Sequence, residues 1–371
     1  MRTRFFSCLT AAWVLLTAFS SAQASSLSTA ATQMQPGEWR VLNNAGDASG
    51  LSTNLLISCL SPPSGDCSDN VLNYADKAMW NPNARTLHFI GQGHGGKELK
   101  FLTYSEATNA WSREPKPYWD CSPAEGCYSL VHGYEHSTID PVSGDIYARK
   151  FNSNEVYRWT RTTATWSRLP SAPNDSIVVG LEYFPDAGGL VMVGAGYVHF
   201  WNKTTNTWSQ LASGLAMGQY HHVASYNAKH KVVIFGGGND SPKLYRMDAQ
   251  RTITPLRDAP EGVGILDSVF TVDPASGKQL LLTSSRRMYE YDVPSNTWTQ
   301  VSTSGMPSDF FASNSYSNAI LYRVAAPIST HGVILFIGYD PIKTWIYKHA
   351  PGTVAAPDTT PPPAPTGLNV N

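Results

Sequence analysis

Apolar residues in this chain come in short alternating runs cut by polar turns, and the runs recur as a longer phrase. The phrase opens with an apolar strand and an Asp/Asn-Pro or similar turn. A second apolar strand ending in small residues follows, then an aromatic strand and a T/S-x-x-W ending. It reads AMWNPNARTLHFIGQG…LTYSEATNAWSREP over 78–115 and STIDPVSGDIYARKF…VYRWTRTTATWSRLP over 137–170. It returns over 181–211, 224–256, 270–301 and 322–351. Alternation at period two between turn formers predicts β-strands, so each unit is expected to hold four short antiparallel strands, a to d.

Six such units, repeating every 40 to 60 residues or so, argue for a repeat architecture. A single sheet has two faces to bury, and stacking sheets around an axis buries both. The expected fold is therefore all-β, a β-propeller of six four-stranded blades. The sixth unit lacks its last strand, and GEWRVL at 37–42 carries the missing phrase. The N-terminal strand is thus expected to complete the last blade and remove an open edge. Residues 44–74 hold further apolar pieces, which leaves seven blades open. FGGG at 235–238, VGAG at 193–196 and the tryptophans of T-x-x-W resemble kelch repeats over nearly all of 37–350. That resemblance implies a propeller over 25–350, with its sites on the d–a and b–c loops of one face.

Composition narrows the rest. Hydrophobic residues make up 42% and charged residues 15%, too apolar for a disordered chain. The net charge of -1, from 27 basic and 28 acidic side chains, argues against nucleic acid as a partner. Residues 1–24 combine a basic start, an apolar run and an A-Q-A ending, the pattern of a secretory signal peptide. The run is shorter than the roughly 20 residues of a membrane span. A secreted, monomeric protein without a membrane span is expected. In an oxidising compartment Cys59 with Cys67, and Cys121 with Cys127, are expected to close two short loops as disulfides. Residues 351–371 read as a Pro-rich linker, and D-T-T-P-P-x-A-P-T-G-L-x-V within it resembles the first strand of a fibronectin type III module.

The loops of the inferred face carry the candidate chemistry. Blade one offers His94 between glycines. Blade two places Arg149 and Lys150 where the repeat calls for small residues, and blade five does the same with Arg286 and Arg287. Blade four offers Asn239. The d–a loops add His132, Tyr134 and His136, then Tyr220, His221 and His222. Cations beside His and Tyr suit β-elimination on a uronate-containing acidic polysaccharide. The cation neutralises the carboxylate and stabilises the developing enolate. One of His or Tyr takes the proton and another protonates the leaving oxygen. Tyr134, His136, Arg149, His221 and His94 are the candidate catalytic groups. Lys150, His222, Tyr220, Arg286, Arg287 and Asn239 are the candidate substrate contacts. The order Tyr134, then Arg149 and Lys150, looks like the propeller-fold polysaccharide lyases, including those acting on ulvan and rhamnose–glucuronate linkages.

Other chemistries fit less well. Hydrolysis needs two facing carboxylates, and Glu135, Asp240, Asp267 and Asp340 fall on different blades. A copper radical oxidase needs a free cysteine, and all four mature cysteines are expected to pair. No cofactor is expected, and a structural zinc or calcium ion is left open. The alternative function is a non-catalytic glycan-binding or adhesion propeller, with Tyr118, Trp119, Phe310 and Phe311 stacking on sugar rings.

Overall fold

The computed structural model describes residues 26–42, 49–57, 70–93, 98–121, 129–173, 177–265, 268–311 and 323–349. Residues 1–24, expected as a signal peptide, residues 351–371, His94, Cys59, Cys67 and Cys127 lie outside them. The described residues form six four-stranded antiparallel sheets. Blade one holds β2 (Met79–Asn81) to β5 (Ala110–Arg113), and blade two holds β6 (Ser137–Ile139) to β9 (Thr165–Arg168). Blade three runs from β10 (Gly180–Phe184) to β13 (Thr207–Ala212), and blade four from β14 (His222–Asn227) to β17 (Ile253–Pro255). Blade five runs from β18 (Ser268–Val272) to β21 (Thr297–Val301). Blade six joins β22 (Arg323–Ile328), β23 (Val333–Gly338) and β24 (Lys343–Tyr347) to β1 (Trp39–Val41).

The innermost strands neighbour one another in the order β2, β6, β10, β14, β18, β22 and back to β2, which closes the ring. The protein is a six-bladed β-propeller. Each of the six interfaces between blades has its own apolar cluster. Innermost strands are accordingly buried on both faces, whereas outermost strands such as β9 and β13 are largely exposed. Residues 49–57 and 70–74 add no blade: they form the short helix α2 (Thr53–Leu56), and Ile57 bridges Asn70. Among the described residues no helix is long and apolar enough to cross a membrane.

The recurring T/S-N-x-W phrase has a local cause. In the c–d turns Asn109, Asn206 and Asn296 adopt left-handed backbone, with φ of 50°, 54° and 55°, a conformation asparagine tolerates better than most residues. Each asparagine then accepts a bond from the preceding c strand: from Tyr104 Oη at 2.7 Å, Trp201 Nε1 at 3.1 Å and Tyr291 Oη at 2.7 Å. The tryptophan that follows sits directly across from the same ring, in the pairs Tyr104–Trp111, Trp201–Trp208 and Tyr291–Trp298. The motif thus couples turn geometry to a cross-strand aromatic pair.

The closing strand reproduces that pair from the far end of the chain. Trp39 of β1 lies opposite Tyr347 of β24 and stacks on it at 4.4 Å. It also meets Phe310 at 5.0 Å and Phe336 at 5.3 Å, tying β1 to the interface between blades five and six. Helix α1 (Ser26–Gln33) buries Leu27 and Ala31 in the interface between blades six and one. Replacing Trp39 by Ala removes the largest side chain of β1, so Trp39→Ala should cost about 3–5 kcal/mol. Equilibrium denaturation checks this; a loss below about 1 kcal/mol would mean that β1 does not hold the ring.

Candidate functional site

At the end of the channel where d–a and b–c loops open, six ring-bearing residues meet. Tyr74 leads into β2, and His132, Tyr134 and His136 lead into β6. Phe151 follows β7 (Ile146–Arg149), and His221 precedes β14. Tyr74 lies 4.5 Å from His132 and stacks on His221 at 5.6 Å. Tyr134 lies 5.2 Å from His132, 5.1 Å from His136, 6.1 Å from Phe151 and 6.2 Å from His221. The fold therefore brings Tyr134, His136 and His221 together. Tyr74, also central, falls in a stretch whose sequence has no regular pattern.

The backbone of this cluster is strained. Tyr74, Val131, Tyr134 and His221 all have positive φ, at 51°, 68°, 45° and 64°. Such a conformation costs of order 1 kcal/mol or more for a non-glycine residue and concentrates at functional sites. Neighbouring contacts hold it: Tyr134 N–H donates to Tyr74 O at 2.7 Å, and Ala75 bridges Tyr134 in parallel. Gly133 permits that approach, since a Cβ there would meet Ala75 Cβ at 2.7 Å. At the facing blade Gly237, with φ of 63°, turns the chain where a Cβ would meet Val263 O at 2.5 Å. That turn delivers Asn239, which hydrogen-bonds His221.

Protonation follows from burial. Burial raises the Tyr134 phenol well above its ordinary range, with the neighbouring Tyr74 adding to the effect, so it stays protonated at neutral pH. Burial lowers His221, partly opposed by its bond to Asn239. Burial also holds His136 well below the usual histidine value, helped by the charges of Arg149 and Lys77. Both imidazoles are therefore neutral near pH 7. Val179 N–H donates to His136 Nε2 at 3.2 Å, which leaves the ring proton on Nδ1. Arg149 is fully buried, donates to Ile177 O at 3.3 Å through Nη1, and places its charge near the His136 ring.

The remaining candidates are dispersed. His222 is buried and its Nε2 meets Gly218 O at 2.7 Å, so it fastens the approach to blade four. Lys150 pairs with Glu155 at 3.5 Å. Arg287 pairs with Glu261 at 2.7 Å, and Arg286 lies over the Phe311 ring at 5.5 Å, both on blade five and exposed. Tyr220 is exposed, 6.4 Å from His221. Among the proposed stacking aromatics Tyr118 is 67% exposed, whereas Trp119, Phe310 and Phe311 are buried. Arg323, unremarked in the sequence, is buried at the start of β22 and donates to Tyr339 O at 2.7 Å and to Phe310 O. It also donates to Asp340 O and lies over the Phe310 and Trp345 rings, so it anchors blade six.

Below the cluster the channel is plugged. Lys77 Nζ donates to Leu181 O at 2.6 Å and Ala224 O at 3.2 Å, and pairs with Glu182 at 3.0 Å and with Glu135. Burial pushes Asp76 up to about 6 and Glu135 well above the carboxylate range, and the two share a hydrogen bond. One proton is held between them at neutral pH. Glu135 thus does face a second carboxyl group, but both are buried in the axis, 1% exposed. Among the described residues no group of three His, Cys, Asp or Glu side chains is placed to hold a metal. No protein-family model matches this chain, and no curated protein is similar to it.

The buried histidines give a pH test. His222 is lowered to about 4 by burial. A group with a depressed folded pKa contributes its stability above the unfolded value, about 6.5, and loses it as pH falls toward 4. Asp76 runs the other way, its contribution fading as pH rises through about 6. A global melt mixes the two, so the His222 ring is the clean reporter. Its NMR resonances should titrate with a midpoint near 4; a midpoint near 6.5 would show a solvated ring.

Proposed function

We propose that the protein is a secreted polysaccharide lyase that cleaves a uronate-containing acidic glycan by β-elimination. The observation that carries this reading is the meeting of Tyr134, His136 and His221, with the buried charge of Arg149 near His136. The uronate lies across the strained rings. Neutral His221, steadied by Asn239, takes the proton alpha to the carboxylate. The electron pair forms the carbon–carbon double bond as the glycosidic C–O bond breaks. Tyr134, kept protonated by burial, donates to the leaving oxygen, and solvent later returns the proton of His221 to the tyrosinate. Arg149 lowers the energy of the enolate through its field, and the Nδ1–H of His136 supplies a donor from a dry site.

One observation favours the alternative, a non-catalytic glycan-binding propeller. Arg149 is fully buried on Ile177 O, while Tyr118 offers an exposed ring beside Tyr157 at 5.9 Å. A panel of acidic polysaccharides separates the two readings. The unsaturated uronate absorbs in the ultraviolet, so a lyase raises absorbance and a binding module does not. On the identified substrate, Tyr134→Phe and His221→Ala should each slow turnover about a hundredfold or more while keeping the wild-type circular dichroism spectrum. Full activity in either variant removes that residue from the mechanism.

We also propose secretion under the signal segment 1–24, and the disulfides Cys59–Cys67 and Cys121–Cys127. Two local contacts support the pairing. Val71 N–H donates to Leu56 O at 2.7 Å, drawing together the ends of the loop that holds Cys59 and Cys67. Ser129 Oγ accepts from Cys121 N–H at 2.7 Å, drawing together the ends of the loop that holds Cys127. Each bridge is expected to contribute up to about 3 kcal/mol. Peptide mapping without reduction should recover both local pairs; free thiols or a Cys67–Cys121 link would overturn them.

A further inference from the structure

The channel has a second end, where the a–b turns gather on the opposite face. A cavity of about 190 Å³ opens there, rimmed by turn residues such as Pro82, Pro141 and Pro274. Its walls are largely apolar, with Met79, Trp80, Ile139 and Phe270 among them. Its floor is the polar plug, reached at Lys77, Thr138 and Glu182.

We infer that this cavity binds one neutral sugar or polyol ring, independently of the chemistry at the other end. Size is the first reason. A cavity of about 150 Å³ holds a benzene-sized ring, and drug-sized ligands need roughly 300 Å³ or more, so one small ring fits and a chain of rings does not. Hydrogen bonding is the second. Trp80 is 95% buried by its 5% exposure, and its indole N–H has no acceptor among the described residues. Trp80 lines the cavity, so a ligand hydroxyl bound there can supply the missing acceptor. Glu182 already accepts from Thr138 Oγ1 at 2.9 Å and from Lys77, and each oxygen keeps a lone pair for a further donor. Ser225 and Thr271 line the wall with hydroxyls. A sugar hydroxyl both donates and accepts, and the ring faces offer stacking surface.

Charge is the third reason, and it excludes the obvious rivals. Glu182 and Asp273 line the cavity beside Lys77 and Lys229, and Asp76 and Glu135 behind the floor share one proton and keep one further negative charge; acidic charge prevails, which disfavours a uronate or any other anion. Lys77 is itself saturated by two carboxylates and two carbonyls. A ligand ammonium would meet that ammonium at the floor and could offer nothing to the Trp80 N–H.

Calorimetric titration of the full chain with glucose, galactose and myo-inositol tests this, with glucuronate and n-butylammonium as comparisons. At least one neutral ring should give saturable millimolar binding that glucuronate and n-butylammonium do not match. Trp80→Phe keeps the ring and loses the donor, and should weaken that binding about tenfold with an unchanged melting temperature. Tyr134→Phe, at the opposite end, should leave the affinity as it is, which separates this cavity from the proposed lyase site. Glu182→Gln should also weaken binding; if loss of its Lys77 contact prevents folding, Trp80→Phe alone decides. No saturable heat from any neutral ring, a preference for either charged probe, or an unaltered affinity in Trp80→Phe would overturn the assignment.

Discussion

Six blades around an axis leave a hole, and what fills it decides whether the ring holds. Here the filling is one ammonium. Lys77 reaches carbonyls on blades three and four and carboxylates on blades two and three, while its own backbone bridges Ala325 of blade six. A charge taken out of water is expensive unless its partners are close and complete. Burial works against the charged form, and Glu135 and Glu182 outweigh it, holding the lysine above its ordinary pKa. The arrangement is therefore conditional: each partner is tolerable only with the others in place. Four of the six blades must be correctly docked before the ammonium is satisfied.

The perimeter is held by a different force. Each blade interface is an apolar cluster, and the rim of blades one, three and five carries the asparagine turn with its facing aromatic pair. Blade four replaces the pair with Met247 opposite Ile253, so the rim tolerates an aliphatic exchange. At the seam, Trp39 opposite Tyr347 restores the aromatic version from the N-terminal side. Apolar packing of this kind is non-directional and forgiving of substitution. The axial lysine depends on direction and full pairing.

This contrast accounts for what the sequence disclosed. Blades were legible because every unit has to bury two faces and turn three times, which forces alternation and turn residues, and most units repeat a tryptophan at a regular place. The closing strand was legible because GEWRVL copies that phrase. The axis was not, since Lys77 meets Glu182 across 105 positions and no local pattern announces it. Nor could loop position distinguish the two cationic loops. Arg149 turns inward and is fully buried, whereas Arg286 turns outward over Phe311. His221 and His222 are adjacent, yet one sits in left-handed backbone among the rings and the other begins a buried strand.

The plug and the ring cluster are also one piece of chain. In Tyr134-Glu135-His136 the middle residue is held in the axis by Lys77, and Glu135 O accepts from Leu181 N–H at 2.9 Å. Beside the pinned Glu135, Tyr134 keeps its bond to Tyr74 O in left-handed backbone, at φ of 45°. The same stretch of chain that brings Lys77 to the axis carries Tyr74 before it and Trp80 after it, at opposite mouths. One short stretch of chain thus serves the strained tyrosine pair at one mouth, the buried charge in the axis and the Trp80 wall at the other. The strain persists because relaxing it would pull Glu135 off an ammonium that has no water to replace it.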